Sequence, residues 1–334
     1  MSNSKKVLVT DYVWPDLEPE KAIFEPLGIE LVVAPDGSEE TLAELARDAD
    51  GILTCFAQVT PRVLEAAGGM KVVARYGVGV DNIAVAEATA LGIAVTYVPD
   101  YCVDEVSDHV LAFLLAFNRR VVLFDNATKR DGWGSVELNL PMTRLRGLTI
   151  GVVGFGRIGR AAAAKAQAFG LNVLVADPFI DAATIEGAGG QLVDLPTLLA
   201  ASDFVTLHSP LNNDTVGMIG APELAAMKDS ALLINCARGP LIDEPALVAA
   251  LSSGRIAGAG LDVMESNHPP SDHPLFGMDN VIVSPHVAFY SPESTRELQR
   301  RATESVAEVL GGHMPENLYN REVIGTARAA FGGM

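Results

Sequence analysis

The sequence predicts an α/β protein of two doubly wound parallel-sheet domains, the second inserted into the first. Three observations carry this. Short apolar runs alternate with stretches of helical spacing up to Thr96, and the rhythm breaks near Pro99-Asp100-Tyr101-Cys102. A second alternating series begins at Leu148, and a single helical segment follows Ser291-Pro292. With 334 residues, 49% hydrophobic and 20% charged, the chain is long enough for two ordinary cores and is neither a disordered tail nor a disulfide miniprotein.

The first series places strands at 7–10, 30–34, 51–54, 72–75 and 93–96, with helices between them. Thr60-Pro61 reads as an N-cap with proline in the first turn, and Gly28 and Gly92 stand where helices should stop. One long helical pattern runs from about 104 to 129, apolar through Val106, Val110, Phe113, Leu114 and Phe117. The second series predicts strands at 149–153, 172–176, 204–207, 231–234, 259–261 and 281–284. The last helix carries Ala302, Val306, Val309 and Leu310 on one side. The domains are then 1–101 with 291–334, a discontinuous unit, and 102–290, the inserted one.

Lys+Arg 24 against Asp+Glu 42 gives a formal charge of −18, with no basic cluster to offset it, which argues against a nucleic-acid partner. Cys55, Cys102 and Cys236 are far apart, with no CxxC pair and no zinc-like Cys/His spacing. Reduced thiols, no structural metal and a cytoplasmic location follow. The apolar run at the start, 7–10, is too short for a signal peptide, and the longest, 110–117, falls well short of the roughly 20 residues that cross a bilayer, so no membrane partner is expected.

Gly154-Phe155-Gly156-Arg157-Ile158-Gly159 sets Gly-x-Gly-x-x-Gly between an apolar strand and a helical pattern. In that context the first glycine permits a tight turn, the second lets backbone approach a pyrophosphate, and the third allows close helix packing. Asp177 ends the next strand, where it is either a solvated strand-end residue or an acceptor for the adenosine ribose hydroxyls. Pro178 and Phe179 supply no cation for a 2′-phosphate, which favours NAD over NADP. Hydride transfer to or from an acid also needs a cation and a proton-exchanging group. Arg238, in Asn235-Cys236-Ala237-Arg238-Gly239, follows a strand end and fits either a substrate carboxylate or a salt bridge. Among the histidines, His286 in Ser284-Pro285-His286 is the acid/base candidate. His208 reads as a cofactor loop residue, His109 as an ordinary helix residue, and His268, His273 and His313 as solvated.

These motifs, with Arg75-Tyr76-Gly77-Val78-Gly79-Val80-Asp81-Asn82, His208-Ser209-Pro210-Leu211 and Gly260-Leu261-Asp262-Val263, resemble the D-isomer-specific 2-hydroxyacid dehydrogenases over almost the whole chain. Pro99-Asp100-Tyr101-Cys102 and His286-Val287-Ala288-Phe289-Tyr290-Ser291 look most like the branch containing the C-terminal-binding-protein corepressors. The resemblance implies a Rossmann NAD-binding domain inserted into a flavodoxin-like substrate domain. It implies that Arg238 binds the substrate carboxylate, that His286 exchanges the proton, and that Val78 and Gly79 offer backbone N–H groups across a closing cleft. Tyr76 and Tyr101, which lie with Tyr12, Trp14 and Phe56 at strand ends or crossovers, are expected from that placement to line the substrate pocket. The implied cofactor set is Val106, Gly154, Phe155, Gly156, Arg157, Ile158, Gly159, Asp177, Pro178, His208, Pro210, Thr215, Cys236, Ala237, Arg238, Asp262, His286 and Ala288. The helix from Asp104 onward is the implied homodimer contact, and Cys236 is expected to be sensitive to thiol reagents.

One departure stands out. Asn267 occupies the position where the family places a glutamate that pairs with the catalytic histidine, so His286 should be harder to protonate than in typical relatives. The loop Thr54-Cys55-Phe56-Ala57-Gln58 lacks the arginines that hold phosphate in phosphoglycerate-oxidising relatives, which points to a small non-phosphorylated 2-hydroxy or 2-oxo acid. The alternative is an NAD(H)-sensing binding protein with little or no turnover.

Overall fold

In a computed structural model that describes residues 4–133 and 142–331, the chain divides into two units, Met1–Tyr101 with Ser291–Met334, and Cys102–Tyr290. The first unit runs β1 (Lys6–Val9), α1 (Glu18–Phe24), β2 (Glu30–Val33), α2 (Glu39–Ala46), β3 (Gly51–Thr54), α3 (Pro61–Ala66), β4 (Val72–Arg75), α4 (Val85–Ala90) and β5 (Ala94–Thr96). Its strands pair in parallel in the order β2-β1-β3-β4-β5, the flavodoxin-like arrangement. Central β3 and β4 are buried throughout, as expected for strands covered on both faces. At the switch point between β1 and β3, the Asp11 carboxylate accepts the backbone N–H groups of Cys55 (3.0 Å), Phe56 (2.6 Å) and Ala57 (3.2 Å). Pro61 opens α3 as predicted, but the Thr60 hydroxyl donates to Glu39 Oε1 at 2.6 Å rather than capping the helix.

The second unit begins with α5 (Val103–Asn118) and α6 (Val121–Asp131). The single helix expected from 104 to 129 is therefore two. Arg120 sits at φ 54°, a left-handed conformation that ends the helical hydrogen-bond ladder, and its guanidinium lies over the Phe117 ring at 4.5 Å. Just before the break, the Asn118 side chain donates to the Thr143 carbonyl and accepts from its hydroxyl, both at 2.9 Å. Neither Gly nor Pro marks the break, so sequence spacing passes over it.

Then follow β6 (Thr149–Val153), α7 (Arg157–Ala168), β7 (Asn172–Ala176), α8 (Ala182–Gly187), β8 (Gln191–Leu192), α9 (Leu195–Ala201), β9 (Phe204–Leu207), α10 (Ala221–Ala226), β10 (Leu232–Asn235), α11 (Glu244–Ser252), β11 (Gly258–Leu261) and β12 (Val281–Val283). Among the described residues the parallel order is β12-β11-β10-β9-β6-β7-β8, a Rossmann sheet whose direction of growth reverses between β6 and β9. β8 was not expected: two residues after Gly189-Gly190 are too few to show a period. The α5 helix packs closely on β11 because Gly258 and Gly260 lie beneath Phe117 and Phe113. A Cβ on either glycine would come within 2.1 and 2.8 Å of the respective ring.

The chain returns to the first unit as α12 (Pro292–Leu310), which packs against α1, β3 and β4 and buries Ala302, Val306, Val309 and Leu310. Ser291 caps it, accepting the Ser294 N–H at 2.9 Å. Between α1 and α12 the fully buried Glu20 accepts from the Tyr76 hydroxyl at 2.7 Å and from Gln299 Nε2 at 2.9 Å. Burial raises its pKa above the usual carboxylate range. A raised folded-state pKa means stability is fully present below the unfolded value and is lost as pH rises through the folded one. Glu20→Gln keeps an acceptor for both partners without the charge. Its urea midpoint is expected to exceed wild type at pH 8 and to converge on it toward pH 4; a gap independent of pH would contradict this. No helix among the described residues is long and apolar enough to cross a membrane.

Candidate active site

The glycine-rich turn joins β6 to α7. Gly154 has φ 90°, and a Cβ there would lie within 2.9 Å of the His208 backbone, so this position both turns left-handed and touches the end of β9. A Cβ on Gly159 would fall 2.2 Å from the Gly154 carbonyl oxygen. Gly156, the residue before α7, meets nothing within 4 Å, and this open space faces the first turn of a 12-residue helix carrying Arg157 and Ile158. Phe155 is buried, and its N–H donates to Asp177 Oδ2 at 2.7 Å. The other oxygen of Asp177 accepts the Phe179 N–H at 2.8 Å around Pro178, and each oxygen keeps a lone pair for a further donor. An open helix N-terminus, an acidic strand end and no cation at 178 or 179 together fit a dinucleotide without a 2′-phosphate.

His208 Nε2 stands 3.0 Å from Thr206 Oγ1, and burial pushes its imidazole down to about 4, so it is neutral at physiological pH. Beyond it, the Thr215 hydroxyl donates to the Pro210 carbonyl at 2.6 Å and closes that loop. Val106 is buried in the first turns of α5.

The candidate reacting groups stand on loops after β10, β11 and β12. Asn235 shapes the first, accepting from Ala237 N–H at 3.0 Å and donating to the Arg238 carbonyl at 2.8 Å. Arg238 Nη1 donates to the Ala237 carbonyl at 2.7 Å. Gly239 then presses against the second loop, where a Cβ would be 1.8 Å from the Met264 carbonyl oxygen. Asp262, 2% exposed, ties the second loop to the third. Its carboxylate accepts the Ser284 hydroxyl at 2.5 Å and the N–H groups of Val287 and Ala288 at 2.9 Å each, and its carbonyl accepts the His286 N–H at 2.8 Å. His286 itself has φ 55°, a left-handed conformation for a non-glycine residue. Three loops at the carboxyl end of one parallel sheet are thus clipped together, the end where such sheets bind ligands.

Asn267 is exposed in the loop after Asp262, which Glu244 anchors on both sides: Glu265 N–H donates to Oε2 at 3.0 Å, and His273 Nε2 lies 3.0 Å from Oε1. His273 was expected to be solvated; this pairing corrects that. Cys236 was expected to react with thiol reagents. Burial, and secondarily the charge of Asp262, pushes its thiol well above the ordinary range, so the thiolate needed for reaction is scarce. In the first unit Val78 and Gly79 lie in the loop after β4, and Tyr101 is the last residue before the second unit. The Tyr76 side chain does not face a ligand: it is 1% exposed, bonded to Glu20 and packed edge-on to Trp14 at 4.7 Å. His109, passed over in the sequence, stands with its Nε2 2.8 Å from Ser284 Oγ.

Residues 111–288 match the sequence model of the D-isomer specific 2-hydroxyacid dehydrogenase, NAD binding domain. The chain belongs to that family: it is an NAD-dependent oxidoreductase of the D-2-hydroxyacid class, with NAD as its cofactor. It is 40% identical to a D-3-phosphoglycerate dehydrogenase of Methanocaldococcus jannaschii over 94% of its own length but spans only 59% of that relative. It is 38% identical to a glyoxylate reductase of Korarchaeum cryptofilum, over 86% of this chain and 87% of the relative. Among solved structures, a D-lactate dehydrogenase from Aquifex aeolicus, complexed with NAD and lactic acid, superposes with a TM-score of 0.84 at 27% identity, over 99% of this chain and all of the other.

Proposed function

We propose that the chain interconverts a small, non-phosphorylated D-2-hydroxy acid and its 2-oxo acid. The observation that carries this is the clipping of the Arg238, Asp262 and His286 loops at the sheet's carboxyl end, beside the Gly154–Gly159 turn. Bound NAD(H) supplies or takes the hydride. The Arg238 guanidinium pairs with the substrate carboxylate and draws electron density from the adjacent carbonyl. The His286 imidazolium gives its proton to the carbonyl oxygen in reduction, and the neutral ring recovers it in oxidation. The reading includes a cytoplasmic homodimer joined through α5, with no nucleic-acid or membrane partner.

Asn267 makes the proton step testable. A neutral amide cannot stabilise an imidazolium as a carboxylate does, so Asn267→Glu should favour the protonated ring. Reduction, which needs that form, is expected to persist about one pH unit higher in the variant than in wild type, read from kcat/KM against pH. Coincident profiles would remove Asn267 from the site.

A phosphorylated substrate is a second reading, favoured by one observation. The 54–58 loop has no arginine of its own, but buried Arg75 at the end of β4 lies 5.9 Å over the Phe56 ring, so a cation stands beside that loop. A panel of glyoxylate, hydroxypyruvate, pyruvate, phenylpyruvate and phosphohydroxypyruvate with NADH decides among the readings. Turnover confined to the phosphorylated acid would establish the second. Tight NADH binding with no turnover on any member would establish a sensor instead.

A further inference from the structure

We infer that His109 is a positioning residue for catalytic His286, acting through Ser284 and Asp262. This rests on the proposed role of His286, but its geometry stands by itself. The single proton of the Ser284 hydroxyl is committed to Asp262 Oδ1 at 2.5 Å. At 2.8 Å from His109 Nε2, Ser284 Oγ must therefore accept, and His109 Nε2 carries the hydrogen it donates. The same Asp262 carboxylate holds the N–H groups of Val287 and Ala288, the two residues immediately after His286. His286 is kept at φ 55° by this grip together with its own N–H bonds to the Asp262 and Ser284 carbonyls.

The packing of α5 brings His109 to this place. With Gly260 and Gly258 beneath Phe113 and Phe117, the helix lies low enough on β11 for the residue one turn before Phe113 to reach the strand's carboxyl end. The His109 ring stands edge-on to Phe113, 4.7 Å between centroids, which fixes its rotation toward Ser284. Nε2 also lies 3.8 Å from Asp262 Oδ1, so the imidazole and the carboxylate share the hydroxyl between them. An Asp262 side chain held by two backbone donors and a hydroxyl has one orientation. Without the His109 donor, the Ser284 hydroxyl can rotate away and release one of the three.

Two variants separate positioning from packing, because they rank in opposite orders. Leucine packs well against Phe113 but donates nothing; glutamine packs less well but can carry an N–H to the position of Nε2. His109→Leu is expected to lower kcat about tenfold with the 2-oxo acid KM changed less than about twofold, since a small misplacement of an acid/base group acts on the chemical step. Amide hydrogen exchange at residues 286–288 of the full chain should quicken by about tenfold as well. His109→Gln should restore both. Wild-type kcat and exchange in His109→Leu, or a glutamine variant no better than leucine, would overturn the inference. If wild type turns over no 2-oxo acid, the functional reading fails, and the exchange measurement alone still decides whether His109 holds the loop.

Discussion

His286→Asn is expected to lower kcat for 2-oxo acid reduction about a thousandfold, in the middle of the range that positioned acid/base groups contribute. Asparagine is the informative replacement because His286 sits at φ 55°, a conformation asparagine tolerates better than almost any residue but glycine. The backbone bonds to Asp262 and Ser284 can therefore survive, and the loss reports the missing proton rather than a collapsed loop. KM for the acid should change little, since its carboxylate is assigned to Arg238. Arg238→Ala should instead damage both parameters, because the guanidinium holds the ground state and polarises the carbonyl. Stopped-flow measurement of NADH oxidation, with circular dichroism to establish folding, checks both. A His286→Asn enzyme within tenfold of wild type would remove the imidazole from the chemistry.

Gly159→Val is expected to weaken NADH binding by about a hundredfold. A Cβ at this position would lie 2.2 Å from the Gly154 carbonyl oxygen, and Gly154 cannot retreat because the His208 backbone stands on its other side. Either the turn or the first turn of α7 must shift, and overpacking of this kind costs about 1–3 kcal/mol or more. The backbone N–H groups of the turn then no longer converge where a pyrophosphate would lie. Gly156→Ala makes the contrast: its Cβ meets no protein atom, so the fold should be untouched while NADH binding still falls, because the space it enters is the ligand's. Fluorescence titration with NADH, alongside thermal melting of both variants, tests this. Normal binding by Gly159→Val would contradict the assignment of the turn.

What could be read from the chain in advance was what local chemistry writes into it. Strands such as Gly51–Thr54, Val72–Arg75 and Phe204–Leu207 lie where continuous apolar runs put them, because a strand covered on both faces needs no partner to reveal its pattern. The fold class and NAD as cofactor followed from the same kind of signal, as did family membership: glycines, an acid and an arginine at fixed distances along one chain. Where the pattern was weak the reading erred. The two-residue β8 is too short to carry a period, and the break at Arg120 is made by a left-handed arginine over Phe117.

The tertiary structure decided which side chains meet. Tyr76 read as a ligand residue from its place at the end of β4, yet Glu20, 56 residues before it and itself held by Gln299 a further 279 residues along the chain from Glu20, draws it into the core. His109 read as a plain helix residue, and 175 residues separate it from the Ser284 hydroxyl it reaches. Arg75 lies beside Phe56 only because β3 and β4 are neighbours in the sheet. The sequence alone determined the fold class, the cofactor and the family, since backbone pattern and motif spacing are local. Only the folded chain decided how the candidate reacting groups are held, because hydrogen-bond partners and burial depend on contacts between residues that the sequence keeps far apart.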